Sequence, residues 1–91
     1  MDNRINDAPI NFDSYAVIKY LDLDPRNRIV GLTTTAALEA ERSKLIGVYA
    51  DLPTAQYVLA NTQLNPGEIV EIRTSNSTGR VTDKVVDTRW I

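Results

Sequence analysis

Residues 15–23 read Tyr15-Ala16-Val17-Ile18-Lys19-Tyr20-Leu21-Asp22-Leu23, and this stretch decides the fold. β-Branched and aromatic residues dominate it, the composition of a strand. Alternate side chains of a strand point to opposite faces. One face carries Tyr15, Val17, Lys19, Leu21 and Leu23, and the other carries Ala16, Ile18, Tyr20 and Asp22. Both faces are largely apolar, so the strand is expected in the middle of a sheet rather than at its edge.

Downstream, Asp24-Pro25-Arg26-Asn27 has the chemistry of a turn. Proline presets the dihedral of its second position, and the aspartate side chain bonds forward to backbone amides. Residues 28–33 (RIVGLT) are then expected to return as the partner of 15–23 in a hairpin, with Gly31 marking a bulge or a close backbone approach. Residues 33–43 (TTTAALEAERS) favour a short helix by propensity, capped by Thr34 or Thr35. Its weakly apolar face would hold Ala37 and Leu38.

Residues 44–50 (KLIGVYA) read as a third strand. Asp51-Leu52-Pro53-Thr54 opens the main helix, since aspartate caps and proline is tolerated in a first turn. That helix runs to about Thr62 and presents Leu52, Ala55, Val58 and Leu59 at helical spacing. Asn65-Pro66-Gly67 closes the connection. Residues 68–74 (EIVEIRT) alternate as a fourth strand, with Ile69, Glu71 and Arg73 on one side and Val70 and Ile72 on the other. A polar loop follows, in which Gly79 can take a positive φ. Residues 81–90 form the fifth strand.

The expected class is therefore α+β. A mixed or mostly antiparallel five-stranded sheet has the order β-β-(short α)-β-α-β-β, with the main helix on one face. The strand–helix–strand unit of residues 45–73 would be a right-handed crossover if its strands run parallel in one sheet. Residues 1–14 are rich in Asp and Asn, with Ile5, Ile10 and Phe12 as the available anchors. They read as a flexible or loosely docked arm ahead of one domain spanning 15–91.

The 91 residues contain no histidine and no cysteine. This composition removes the imidazole base, the thiolate nucleophile and the usual zinc, haem and iron–sulfur ligands. Ten basic residues against twelve acidic give a net charge of −2, and no basic run exists to neutralise phosphates, so nucleic acid is not an expected partner. No apolar run approaches the roughly 18 residues of a membrane span, and the start lacks the apolar core of a signal peptide. A cytoplasmic protein without a membrane partner is the default expectation.

The motifs are weak. Residues 22–27 begin like a calcium loop, but the glycine at its sixth position is missing and Thr33 stands where the bidentate glutamate belongs. Asn76-Ser77-Thr78 matches a glycosylation sequon in a chain without a secretory signal. Thr33-Thr34-Thr35 reads as helix capping, since no glycine-rich loop or P-loop lysine accompanies it. Glu39 and Glu41 do not share a helix face, and Glu68 and Glu71 lie on opposite faces of a strand. No acid–base pair is apparent, so no catalytic residue, metal site or cofactor is expected.

Aromatic and arginine side chains are the types enriched in binding hot spots. The interface or ligand candidates are Tyr20, Tyr57, Arg73, Arg89, Trp90 and Ile91. Tyr15 and Tyr49 read instead as core-rim residues with wet hydroxyls. Trp90-Ile91 is a bulky apolar pair expected to dock on the domain's own helix or against another subunit. The short hairpins and polar loops are similar in general style to accessory proteins of bacteriophages and bacteria. The leading expectation is a non-enzymatic module acting through protein–protein contacts, for instance as an inhibitor of a host protein or an assembly factor. Its partner would be another protein or itself as a homo-oligomer. The alternative is a small-molecule binding protein with a pocket at a subunit interface.

Overall fold

A computed structural model describes residues 12–21, 33–34, 43–76 and 80–91. The chain is α+β. The strands are β1 (Ser14–Tyr20), β2 (Thr33–Thr34), β3 (Ser43–Tyr49), β4 (Ile69–Ser75) and β5 (Arg80–Trp90), and the helix α1 (Leu52–Asn61) lies between β3 and β4. They form one sheet in the order β2-β5-β4-β1-β3, and every neighbouring pair is antiparallel.

Strand β1 is central, as its two apolar faces require. Its flanks are both occupied, by β3 along 15–20 on one side and by β4 along 14–20 on the other. This overturns the expected hairpin between 15–23 and 28–33. Residues 22–32, including Gly31 and the turn at Pro25, lie outside the described residues. The physical reason for the different partner is the composition of β4. Six of its seven residues are buried, so it must sit inside the sheet, and β1 is the other strand that tolerates burial on both faces. Long non-local pairing between two such strands outweighs a local turn.

The described part of the second strand sits elsewhere than expected. Thr33 and Thr34 pair with Val81 and Arg80 at the outer side of β5. Two β-branched threonines extend readily there, and the short helix expected after its Thr34 or Thr35 cap is neither supported nor contradicted by them. Residues 35–42 lie outside those described, as does Gly79. Strands β3 and β4 run in the same direction, as the crossover reading anticipated, but β1 lies between them.

Helix α1 starts where its capping chemistry dictates. Asp51 is extended (φ −131°, ψ 151°), and its Oδ1 accepts from the Thr54 backbone N–H at 2.9 Å. The Thr54 hydroxyl donates to the same carboxylate at 2.8 Å. The connection to β4 turns at Gly67, whose φ of +89° favours glycine. Asn65 N–H donates to Glu68 Oε1 at 2.7 Å, while Glu68 N–H donates to the Asn65 carbonyl at 3.1 Å. Lys19 ties this turn to β1 through Glu68 at 3.2 Å and the Gln63 carbonyl at 3.2 Å.

The helix packs Ala55 and Leu59 onto Val17, Val70 and Ile72, with Leu64 completing the layer. Tyr15, Ile46, Tyr49, Leu52, Val58 and Val86 close its margin. The opposite face of the same strands holds a second cluster of Ala16, Ile18, Tyr20, Ile69 and Val81. Each large side chain buried in this way contributes about 1.5–3 kcal/mol relative to exposure. The sheet is thus a shared wall between two packed layers.

Candidate binding surface

Residues directly opposite in an antiparallel ladder share a face, so the registers lay out the face away from α1. One row runs Ser43, Tyr20, Ile69, Trp90 across β3, β1, β4 and β5. The next runs Leu45, Ile18, Glu71, Thr88, and the third Val48, Ala16, Arg73, Val85. Exposure rises outward along these rows. Tyr20 and Ile69 are buried, whereas Trp90 is 60% exposed, Val85 42% and Val48 38%.

The middle of this face is polar. Glu71 is 0% exposed and Arg73 3%. They stand two residues apart on one strand face, and Arg73 Nε lies 3.5 Å from Glu71 Oε2. The Arg73 guanidinium also sits over the Tyr20 ring, 5.9 Å from its centroid, a cation–π arrangement. Ser75 and the Tyr20 hydroxyl are buried in the same layer. A buried ion pair of this kind roughly balances its own desolvation cost, but losing one partner leaves an uncompensated charge inside. Glu71, Arg73 and Tyr20 present almost no surface to solvent, so the cluster organises the interior and does not meet a substrate.

The six candidate residues therefore fall in three places. Tyr20 and Arg73 come together in the buried polar layer. Trp90 lies on the same face, in the row of Tyr20, with Ile91 beside it at 68% exposure. The expectation of packing on the domain's own helix is overturned for Trp90. Trp90 pairs with Ile69, and Ile69 belongs to the cluster on the face away from α1.

Arg89 points the other way. Its Nε donates to the Leu59 carbonyl at 2.9 Å, and its Nη2 donates to the Thr62 carbonyl. A guanidinium at a helix C-terminus satisfies carbonyls that lack intrahelical partners and opposes the helix dipole. Arg89 thereby fixes β5 to the end of α1. Tyr57 is 70% exposed on the helix, off the sheet face that carries Tyr20, Arg73 and Trp90.

Sequence reasoning did not single out Glu71 for the interior, or Val48 and Val85 for the surface. The Glu71–Arg73 spacing was legible as one strand face, but burial of that face depends on strand order. Glu68, by contrast, is held at the turn, where the Asn65 amide and Lys19 keep its carboxyl below the usual range. Asp51 is likewise lowered by the Thr54 amide and hydroxyl. Among the described residues no group of three or more acidic side chains converges to hold a metal ion, and no helix is long and apolar enough to cross a membrane.

No protein-family model matches the chain, and neither a curated protein nor a solved structure matches it.

Proposed function

We propose that this protein is a non-enzymatic binding module that acts through protein–protein contacts. The observation that carries the reading is Trp90, a tryptophan left 60% exposed at the end of a long strand, with the adjoining Ile91 and, farther along the same strand, Val85 also exposed. Large apolar side chains gathered at one side of a sheet mark interaction surfaces, and tryptophan is the residue type most enriched where binding energy concentrates. The chemistry of the chain supports the same reading. It has no histidine or cysteine, and the acidic and basic side chains of the sheet interior neutralise one another out of reach of solvent. Roles such as an assembly factor or an inhibitor of a partner protein follow from this mode of action.

The test compares wild-type protein with Trp90→Ala as immobilised baits in extract of the source cell. The Trp90 side chain is exposed, so the variant should melt with the wild type. The reading expects a protein retained by the wild type and lost by the variant. Identical retention by both baits would contradict it.

A further inference from the structure

Helix α1 turns an uncharged face to solvent. The chain carries no acidic or basic residue from Leu52 to Gly67, although 24% of its residues are charged. A surface helix ordinarily presents charged side chains to water, whereas the centres of protein interfaces are depleted of charge and enriched in tyrosine. At about 3.6 residues per turn, Tyr57 lies opposite Ala55 and Leu59, which are buried against the sheet. Tyr57 therefore stands at the crest of the outward face, 70% exposed, with exposed Pro53 and Ala60 beside it. Two polar neighbours of the crest are already engaged. Asn61 Nδ2 donates to the Tyr57 carbonyl at 2.8 Å, and the Thr54 hydroxyl donates to Asp51 at 2.8 Å. Covering this face therefore strands few donors.

We infer that α1 packs antiparallel against α1 of a second copy of this chain, across a two-fold axis. The contact lies on the side of the sheet opposite Trp90, so it goes beyond the binding reading and does not depend on it. Two features favour a second copy over another occupant. The first is shape. A large Tyr57 and a small Ala60 stand three residues apart on one face, where side chains are neighbours. An axis midway between them seats the Tyr57 ring of each copy on Ala60 of the other and sets Gln56 opposite Asn61. Such a contact is isologous and closes at a dimer.

The second feature is charge. The chain has a net charge of −2, so two copies meet with least repulsion through a face that carries none. Asp51, the carboxylate that caps the helix, lies far from the axis. The two Asp51 residues are set on the order of 20 Å apart along the paired helices, beyond the screening length of about 8–10 Å in physiological salt. Trp90 of each copy then faces outward, which gives the dimer two equivalent binding surfaces.

Sedimentation velocity from about 1 µM to about 1 mM tests the inference, using wild type, Ala60→Glu, Tyr57→Ala and Trp90→Ala. All three side chains are exposed, so each variant should fold as the wild type does. One helix pair buries a small area, at the weak end of interfaces, so the wild-type dimer should appear toward the upper end of that range. Ala60→Glu sets a carboxylate under both Tyr57 rings and should weaken dimerisation by about tenfold or more. Tyr57→Ala removes both rings and should weaken it as well, while Trp90→Ala should leave the dimer intact. A wild type that stays monomeric throughout would overturn the inference and leave the bait experiment to judge the binding reading. Dimerisation kept in full by Ala60→Glu or Tyr57→Ala, or lost in Trp90→Ala, would overturn it too, because self-association would then use another surface.

Discussion

Strands β3 and β5 flank the same two central strands, yet they are secured in different ways. β5 is long, rich in charge, and bound to the end of α1 through Arg89. β3 is short and nearly neutral, and it is held by packing. Ile46 and Tyr49 tuck under the helix, and the Tyr49 ring lies over Gly47. The difference shows how one sheet can hold one outer strand by a side-chain tie and the other by the packing beneath it. A charged, side-chain-anchored strand resists further pairing.

The largest effect is expected where the two outer strands share support. Glu71→Ala removes one member of the buried pair at the centre of β4 and should cost about 3–5 kcal/mol, measured by chemical denaturation. It should raise amide exchange in β3 and β5 together. Loosening confined to one of them would break the premise that both lean on a common centre.

Arg89→Ala addresses β5 alone. It removes charge-assisted hydrogen bonds to the Leu59 and Thr62 carbonyls and should cost about 1.5–3 kcal/mol. Exchange should rise at the C-terminal end of α1 and in the last residues of β5, with β3 unchanged. Gly47→Ala is the counterpart on β3. A Cβ there would lie 2.5 Å from the Tyr49 hydroxyl oxygen and 2.8 Å from its Cζ, so the ring must leave its place. A loss of about 1–2 kcal/mol is expected, confined to β3 and its contact with α1. A stable variant with Tyr49 undisturbed would show that the ring does not hold the strand.

Acid gives a smaller effect with a defined sign. Asp51 and Glu68 have folded-state values lowered by backbone amides and, for Glu68, by Lys19. Groups of this kind add stability above their unfolded values, near about 4, and that contribution is lost as pH falls through the lowered folded values. Melting temperature should therefore hold steady from neutral pH to about 5 on their account and decline below it. Asp51→Asn, which retains a capping oxygen, should flatten part of that decline. An unchanged acid profile would remove Asp51 from the account of how the chain leaves β3 and enters α1.

Much of the fold was legible in local patterns. The two apolar faces of β1, the Asp51 cap with Pro53 in the first turn, and the alternation of β4 each rest on a few neighbouring residues. Their boundaries came out within a residue or two, save the end of β1. What escaped was pairing between distant segments. The turn at Pro25 reads as a hairpin in isolation, and nothing local to residues 28–33 says that β3 and β4 will take both flanks of β1. The candidate site suffered the same limit. Arg73 and Arg89 look alike in sequence, but strand order buries one beside Glu71 and aims the other at the helix end.

Amide hydrogen exchange of the wild type and Arg89→Ala compares the two outer strands in a single experiment. The account predicts that the last residues of β5 and the C-terminal end of α1 lose protection in the variant, while residues 43–49 do not change. Loss of protection in 43–49, or equally in both strands, or in neither, would contradict the claim that β5 is anchored by its arginine and β3 by the packing beneath it.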